Sequence, residues 1–537
     1  MVKRDQRSIR AVVSAVLLVA AGAGGCNALI GLEVGQLDAS TGGTGGAGAG
    51  TGGGAEGGGG SNGGGAGTGG SGDGGGAGTG GSGGGEAPFC GEDRKDAIRG
   101  PQARWGTTVG LDVTDVAAHG DGVTAIINEK GAISVARWAR GGTRDAGYGL
   151  TATDLLEGDI KATHLSVGQG LAYVAGWSDS GAQLPSASTT GCVITGRALS
   201  HPSFLAALDE KGQCRWAWSP DGGATSTPLG LAAAPGAVVM AASVKGPSVN
   251  DGACTLAMGG AETSVGLAAL DPAAGGCLWG MPIGPSPAVT VGELLVDEAR
   301  GEVLAVGRYE GEEGYVVAGA LLPPSQDRDV FVARFALTEG SLKGIDAFPL
   351  PGRQEVDQRG AALLPDGDVV IVGSYAGSLD FGEGCPPAPE EDAPNMENFF
   401  VMRVSGPSVV WGRGFGDAGH RQWVASVAAA PDGLIYVTGN YQGEIDLGNG
   451  GKLVAPATDA DPMVGFLIVL DARGNVVSAS ELKGTGDAYV WAAAPGPAPG
   501  DALYLGGELG STLDIGRDPP LTDAMGRGFV AELPGVR

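Results

Sequence analysis

Seven cysteines offer the clearest covalent chemistry in this chain of 537 residues. Cys192 precedes Cys214 by 22 residues, and Cys254 precedes Cys277 by 23 residues. In both pairs the second cysteine lies two residues before a tryptophan. These near-identical offsets indicate one arrangement used twice, and oxidising compartments favour paired thiols. The spacing therefore predicts two disulfides, 192–214 and 254–277.

Residue types that usually carry catalysis or bind metals form no recognisable motif. No histidine lies in an HExxH motif or at metal-ligand spacing from a cysteine or carboxylate. There is also no GxSxG nucleophile elbow. The chain has four histidines: His119, His164, His201 and His420. We therefore expect no metal site, no cofactor and no enzymatic activity. A carbohydrate-active hydrolase or lyase is the alternative, because two carboxylates meeting in a central channel could cleave glycosides.

Arginine and aromatic residues are the usual anchors of recognition surfaces. Arginine and aromatic residues, and one glutamine beside an arginine, lie near the predicted starts of three repeated strands. They are Gln358, Arg359, Arg421, Trp423, Tyr489 and Trp491. These are the candidate binding residues. The alternative is that some of them pack one repeat against the next.

Internal repeats must position these residues. Short β-branched runs recur about every 66 residues and end at Gly176, Ala242, Gly307, Gly373, Gly439 and Gly507. An apolar segment, usually beginning with phenylalanine, follows each run, as in Phe331-Val332-Ala333. Pro-Asp-Gly turns precede two of the runs, and three tryptophan-containing segments follow the phenylalanine segments. A repeat with these features predicts four short strands joined by tight turns.

Four antiparallel strands repeated around an axis form the blades of a β-propeller. Six full repeats and a shorter first one give seven blades, and the last lacks its tryptophan strand. Residues 101–110, around Trp105, resemble the missing strand and would complete that blade. We therefore predict an all-β fold, a seven-bladed β-propeller of four-stranded antiparallel blades, over residues 87–537. No stretch shows a sustained 3.6-residue period, so helices should be scarce.

The motif set resembles the seven-bladed β-propeller repeat family of bacterial cell-surface proteins, over about residues 101–537. This resemblance implies a secreted or surface-displayed propeller, but no single activity. The last three repeats share a Leu-Asp-Phe-Gly-like motif that contains Asp380, Asp446 or Asp514. Since a catalytic group is needed only once, a repeated aspartate indicates a turn cap. Calcium binding at these loops is the alternative.

The repeats also explain the cysteine pairs. The first cysteine of each pair lies in the loop between the second and third strands, and the second begins the fourth strand. Third and fourth strands are neighbours, so each loop can fold back to reach its own blade. Cys385 lies in the corresponding loop of the fifth blade without such a partner, and Cys90 is its candidate for a third bridge.

The N-terminus carries a targeting signal. A basic segment and a short apolar run, too short to span a bilayer, lead to Gly24-Gly25-Cys26. This resembles a bacterial lipoprotein signal, which implies removal of residues 1–25 and acylation of Cys26. Ala23 departs from the family, which usually has leucine there. Ordinary secretion, with cleavage after Ala23, is the alternative. Without Cys26 the number of cysteines is even, which favours the lipoprotein interpretation.

After a short segment, residues 26–40, the chain becomes almost pure glycine with alanine, serine and threonine over residues 41–86. Such a segment cannot bury enough apolar surface to fold, so we predict a disordered tether. The net charge of −27 disfavours nucleic acid and anionic lipid headgroups as partners. The sequence thus predicts an extracytoplasmic protein, lipid-anchored at the bacterial outer membrane or cell surface. Its ligand would be an unidentified extracellular glycan or protein.

Overall fold

The structure is a computed structural model that describes residues 98–536, with gaps at 101, 121, 156–157, 187–191, 196–200, 221–224, 246–249, 252–253, 257–262, 326, 382–397, 418, 449–450, 457–461 and 525. The predicted signal peptide, Cys26 and the glycine-rich segment lie outside the described residues. So do Cys90 and Cys385, and the third disulfide stays a prediction.

Seven antiparallel sheets of four strands form the blades predicted from the repeats. Blades 1 to 4 consist of Asp112–His119, Gly122–Glu129, Ala132–Ala139 and Leu150–Thr153; Ile160–Gly168, Leu171–Ser178, Ser203–Leu208 and Cys214–Trp218; Thr225–Ala234, Ala237–Lys245, Thr263–Leu270 and Cys277–Pro285; and Val289–Asp297, Glu302–Tyr309, Asp329–Ala336 and Leu342–Phe348. Blades 5 to 7 consist of Arg353–Glu355 with Ala361–Leu363, Val369–Ala376, Asn398–Ser405 and Ser408–Phe415; Gln422–Ala429, Ile435–Tyr441, Val464–Leu470 and Val476–Leu482; and Ala488–Pro495, Leu503–Leu509, Gly528–Leu533 and Trp105–Val109. The described residues contain no helix, and hence none that could cross a membrane.

First strands of neighbouring blades contact each other around the whole ring, including blade 7 against blade 1. They are the inner strands and line a central channel, while the fourth strands lie at the rim. Among the described residues, five blades have short strands in the loop between their second and third strands, and in blade 7 one of these pairs with Gly484–Thr485, which precedes the inner strand. These are Gly181–Gln183 with Val193–Thr195; Asn250–Asp251 with Cys254–Thr255; Tyr315–Val317 with Ala320–Leu322; Glu444–Asp446 with Lys452–Val454; and Thr512–Leu513 with Gly484–Thr485 and Leu521–Thr522.

The hydrophobic core lies between blades rather than within them. Seven clusters of buried apolar side chains each combine residues of two successive blades, and one cluster joins blade 7 to blade 1. Second and third strands are buried along almost their whole length, because a neighbouring blade covers each of their faces. This is why the sequence shows them as continuous apolar runs.

The recurring glycine and phenylalanine of the repeat serve one packing arrangement. At Gly439, a side chain would overlap the carbonyl oxygen of Trp423 in the inner strand and the ring of Phe466 in the third strand. The equivalent glycines of blades 2, 4, 5 and 7 show the same pair of clashes. In blade 3 both residues change together, to Ala242 and Gly266, which face each other across the sheet. The glycine therefore makes room for the ring.

The ring closes as the sequence predicts. Trp105–Val109 pairs with Gly528–Leu533, and Trp105 packs on Gly142 of blade 1, whose φ is 87°. Trp411 packs in the same way on Gly474 of the following blade, which has a φ of 82°. The closing strand thus forms the contact that joins successive blades elsewhere.

Both disulfides predicted within blades are present. Cys192–Cys214 and Cys254–Cys277 have Cα separations of 6.0 and 5.8 Å. Such bridges are typical of proteins that fold in an oxidising, extracytoplasmic compartment.

The repeated aspartates cap turns as predicted. Asp446 accepts a hydrogen bond from the Gly448 N–H at 2.8 Å, and Asp514 accepts one from the Gly516 N–H at 2.7 Å.

Candidate functional site

Inner strands bulge at one level of the central channel. In six blades a single extra residue interrupts the pairing with the second strand. These residues are Thr114, Thr163, Leu229, Gly292, Ala425 and Trp491. A bulge bends its strand and redirects the adjacent side chains, and bulges often lie beside functional sites. The repeat therefore produces a ring of redirected side chains in the channel.

Blade 5 departs from this pattern, because its inner strand is split into two parts. Glu355 pairs with Ser374 and Ala361 pairs with Ile371. Between these pairs, five residues of the inner strand lie opposite two residues of the second strand. The surplus is three residues where the other blades have one. Asp357, Gln358 and Arg359 fill this position, so two of the six predicted binding residues lie in the largest distortion of the ring.

Arg359 bridges the channel from this insertion. Its Nε lies 3.1 Å from Oδ1 of Asp115 in blade 1, and its Nη2 donates a hydrogen bond of 2.5 Å to the Thr163 carbonyl in blade 2. Its own carbonyl accepts the Val427 N–H of blade 6 at 3.0 Å. Arg359 has a φ of 60°, which is unfavourable for any residue with a Cβ and costs about 1–3 kcal/mol. Contacts with three other blades hold it in this conformation.

Three ionisable residues immediately follow bulges and surround Arg359. Burial raises the pKa of Asp115, and Arg359 lowers it in part. Burial raises the pKa of Glu293 to about 8, although the N–H of Leu294 and Arg359 oppose the shift. Burial, together with the Arg359 charge, lowers the pKa of His164 to about 3. At neutral pH, His164 is therefore uncharged and Glu293 is mostly protonated. Within this group, Arg359 forms an ion pair with Asp115.

Aromatic side chains form a second group, at the face where the inner strands begin. Tyr489 stacks on Trp491 with ring centroids 5.1 Å apart and planes 3° apart. Trp423 of blade 6 meets Trp491 edge to face at 5.3 Å. The Trp423 indole donates a 3.3 Å hydrogen bond to Asp357 Oδ2. We call Trp423, Tyr489, Trp491 and Asp357 the channel mouth. Tyr489 is buried, whereas both tryptophans remain half-buried.

The structure thus unites most of the predicted binding residues. Trp423, Tyr489 and Trp491 touch one another, and Gln358 lies half-buried between Asp357 and Arg359 in the blade 5 insertion. Arg421 is exposed just before the inner strand of blade 6. The Trp423–Trp491 contact packs blade 6 against blade 7, as the packing interpretation expects, and the binding interpretation stays a prediction.

Asp115, His164, Glu293 and Asp357 were not predicted from the sequence as members of this site. A signal existed in the aligned repeats. The position after the bulge is glycine, serine or alanine in three other blades, whereas Asp115, His164 and Glu293 occupy it in blades 1, 2 and 4. Ionisable residues at a position otherwise occupied by small ones mark the channel centre.

We find no metal site in the part of the chain that the structure describes. No three His, Cys, Asp or Glu side chains come together there as metal ligands would. The predictions about cofactors and calcium stay predictions.

No protein family matches the sequence, and no curated protein sequence does. Solved structures resemble it distantly. Quinohemoprotein alcohol dehydrogenase from Comamonas testosteroni is 11% identical, with a TM-score of 0.41, covering 84% of this chain and 80% of that one. BamB from Moraxella catarrhalis is 12% identical, with a TM-score of 0.35, covering 81% and 99%. Raptor from Chaetomium thermophilum is 8% identical, with a TM-score of 0.40, covering 82% of this chain but only 29% of its own. These similarities are too distant to indicate function, and the propeller is evident from the strand pairing of this chain itself.

Proposed function

We propose that this propeller is a non-enzymatic binding module that holds an extracellular ligand at the channel mouth. The observation that carries the proposal is the cluster of Trp423, Tyr489 and Trp491, which leaves two tryptophans half-buried where the channel opens. Aromatic side chains combine a large apolar surface with little conformational entropy to lose, so they dominate recognition surfaces. Asp357 fixes the Trp423 indole, so this part of the surface is organised before any ligand arrives.

The channel centre supports binding at the mouth rather than catalysis inside. Asp115 has both oxygens occupied, since Oδ1 faces Arg359 and accepts the Val116 N–H, and Oδ2 accepts the Leu165 N–H at 2.7 Å. Arg359 is committed to Asp115 and to the Thr163 carbonyl. Arg359 and Asp115 therefore neutralise each other, and their contacts link blade 5 to blades 1 and 2.

A carbohydrate-active enzyme is the second candidate, and one observation favours it. Burial raises the pKa of Glu293 to about 8, and the nearby charge of Asp115 adds to this rise, so a protonated acid and a carboxylate would face the same channel. Glu293→Gln separates the candidates. An enzyme would lose turnover of the glycans it binds, whereas a binding module would keep its affinity and show no turnover in either form.

Glycan and peptide arrays probed with the full chain test the binding proposal. Trp423→Ala and Trp491→Ala should abolish the signals that the unaltered protein gives. Trp177→Ala is the matched control, because Trp177 is also half-buried but lies in a second strand, away from the channel. Signals that survive both mouth substitutions, or that the control loses equally, would show that the ligand binds elsewhere.

The cellular address belongs to the same proposal. We propose that Cys26 carries lipid and that residues 41–86 hold the propeller away from the bacterial outer membrane. The two disulfides support an extracytoplasmic address. Several acyl chains, at about 0.8 kcal/mol per buried CH₂, would make the attachment effectively permanent. Mass spectrometry of the N-terminal peptide tests this, and an unmodified peptide beginning at Gly24 would exclude lipidation.

A further inference from the structure

Three arginines converge at the face of the propeller where the inner strands begin. Arg308 ends the second strand of blade 4, Arg328 precedes its third strand, and Arg353 begins the inner strand of blade 5. All three contact one carboxylate, Glu355. Arg308 pairs with Oε2, while Arg328 and Arg353 share Oε1, the latter at 2.9 Å. We call these three residues the arginine cluster.

The three arginines pair directly with two carboxylates, Glu355 and Glu310, and the charge of Asp357 also acts on Arg308. Glu310 lies 3.4 Å from Arg328 Nε and is 50% exposed. Burial lowers the pKa of Arg308 to about 10, and the charges of the other two arginines contribute to that shift. Three guanidinium groups that share one carboxylate thus repel one another, in a chain whose net charge is −27. An anionic group from a ligand would relieve this repulsion.

Guanidinium groups suit this role because they bind carboxylate and sulfate oxygens through paired N–H donors. Arg328 and Arg353 keep 26% and 38% of their side chains exposed, so a ligand can reach them. Glu355 occupies only one or two of the five N–H donors of each arginine.

Asp357 links the arginine cluster to the channel mouth. It lies two residues beyond Glu355, its charge acts on Arg308, and its carboxylate accepts the Trp423 indole N–H. An aromatic surface for an apolar ring face therefore adjoins a cluster of three cationic side chains.

We propose that the channel mouth and the arginine cluster together bind an acidic polysaccharide, with a sugar ring against the tryptophans and a carboxylate or sulfate group on the arginines. This inference rests on the proposed binding function and names its ligand class. Nucleic acid fits less well, because its closely spaced phosphates require a stripe of basic residues.

Calorimetric titration of the full chain tests the proposal with four probes: oligogalacturonate, dextran sulfate, neutral dextran and single-stranded DNA. Binding of oligogalacturonate or dextran sulfate, but not of neutral dextran, is the expected result, and the first two distinguish a carboxylate from a sulfate ligand. Arg328→Gln and Arg353→Gln should each weaken that binding about tenfold, as the loss of a charge-assisted hydrogen bond implies. Added NaCl should weaken it as well.

Arg140→Gln is the matched control, because Arg140 is 45% exposed and pairs with a single carboxylate, Asp501, far from this face. It should leave the affinity unchanged, and melting curves should show that all variants remain folded. Arg353→Lys keeps the positive charge but loses the paired N–H donors of the guanidinium group. Its affinity should therefore fall between those of the unaltered protein and Arg353→Gln.

Two results would overturn the inference while leaving the proposed function intact. One is binding of neutral dextran that depends on Trp423 but is indifferent to Arg328→Gln. The other is equal affinity of the acidic probes for the Arg328→Gln variant and the unaltered protein. Tight binding of DNA that depends on Arg328 would identify a polyphosphate ligand instead. If arrays and titrations detect no ligand at all, the proposed function fails as well.

Discussion

Trp105→Phe is expected to destabilise the protein more than the equivalent change at any other tryptophan of the rim. The Trp105 indole donates a 2.7 Å hydrogen bond to Glu532, whose side chain is completely buried. Trp411 donates at 3.0 Å to the neutral carbonyl of Ala472. Both rings are buried and rest on a glycine of the next blade. Phenylalanine removes the N–H from both sites at a similar packing cost.

The difference between the two substitutions follows from the acceptor. A hydrogen bond to a charged group contributes about 1.5–3 kcal/mol, and one to a neutral group about 0.5–1.5 kcal/mol. Trp105→Phe should therefore cost about 1–2 kcal/mol more in free energy of unfolding than Trp411→Phe. Urea denaturation of the full chain measures both values. Trp216→Phe and Trp279→Phe, whose indoles donate to the carbonyls of Pro272 and Leu337, are further neutral controls.

A double-mutant cycle with Glu532→Gln tests the cause. Without the buried charge, Trp105→Phe should cost no more than the neutral controls. Equal costs for Trp105→Phe and Trp411→Phe in the unaltered background would refute the reasoning. So would an undiminished cost of Trp105→Phe in the Glu532→Gln background.

Three further predictions follow from the fold and the channel. Deleting residues 101–110 should expose the third strand of blade 7 and cause aggregation or loss of cooperative unfolding; a truncated protein that melts like the full chain would contradict ring closure. Replacing Cys192 and Cys214 together by serine should lower the free energy of unfolding by about 3 kcal/mol, as expected for a closed loop of this length; non-reducing peptide mapping checks the pairing, and a Cys192–Cys254 crosslink would contradict it. Glu293→Gln should become more stable relative to the unaltered protein as the pH rises from about 6.5 to 8.5. In that window Glu293 is already ionised in the unfolded chain but has a pKa of about 8 when folded, so the unaltered protein loses stability, while the titration of His164 is common to both proteins and cancels. Parallel denaturation curves at both pH values would contradict the raised pKa.

The blades could be predicted from the sequence because each strand repeats the same local requirement. Gly439 recurs because Phe466 and the inner strand leave no room for a side chain, so a glycine and a phenylalanine mark five of the seven copies. The closing strand could be found because Trp105 satisfies the same requirement as Trp411. The disulfides were predictable because two cysteine pairs recur at near-identical offsets in adjacent repeats, where the loop after the second strand can reach the fourth strand of the same blade.

The contacts around Arg359 at the centre of the channel could not be predicted from local sequence patterns. Arg359 and Asp115 meet across the ring, although 244 residues separate them in sequence. The arginine cluster is equally hidden, since Arg308, Arg328 and Arg353 have no regular spacing and meet only because two blades adjoin. Aromatic residues were easier to recognise, because their type alone indicates a recognition surface, whereas a charged residue needs a known neighbour.

The strand that closes the ring is also the propeller's connection to the chain before it, which has a mechanical consequence. Ahead of Trp105, the Arg99 N–H bonds to the Ala479 carbonyl of blade 6, and the Ala103 N–H bonds to the Ile515 carbonyl of blade 7, both at 2.8 Å. A pull on the N-terminal chain would break these two attachments before it loads the closing strand. Under tension, the segment that precedes Trp105 would therefore detach first. Only a stronger force would reach the strand that closes the ring.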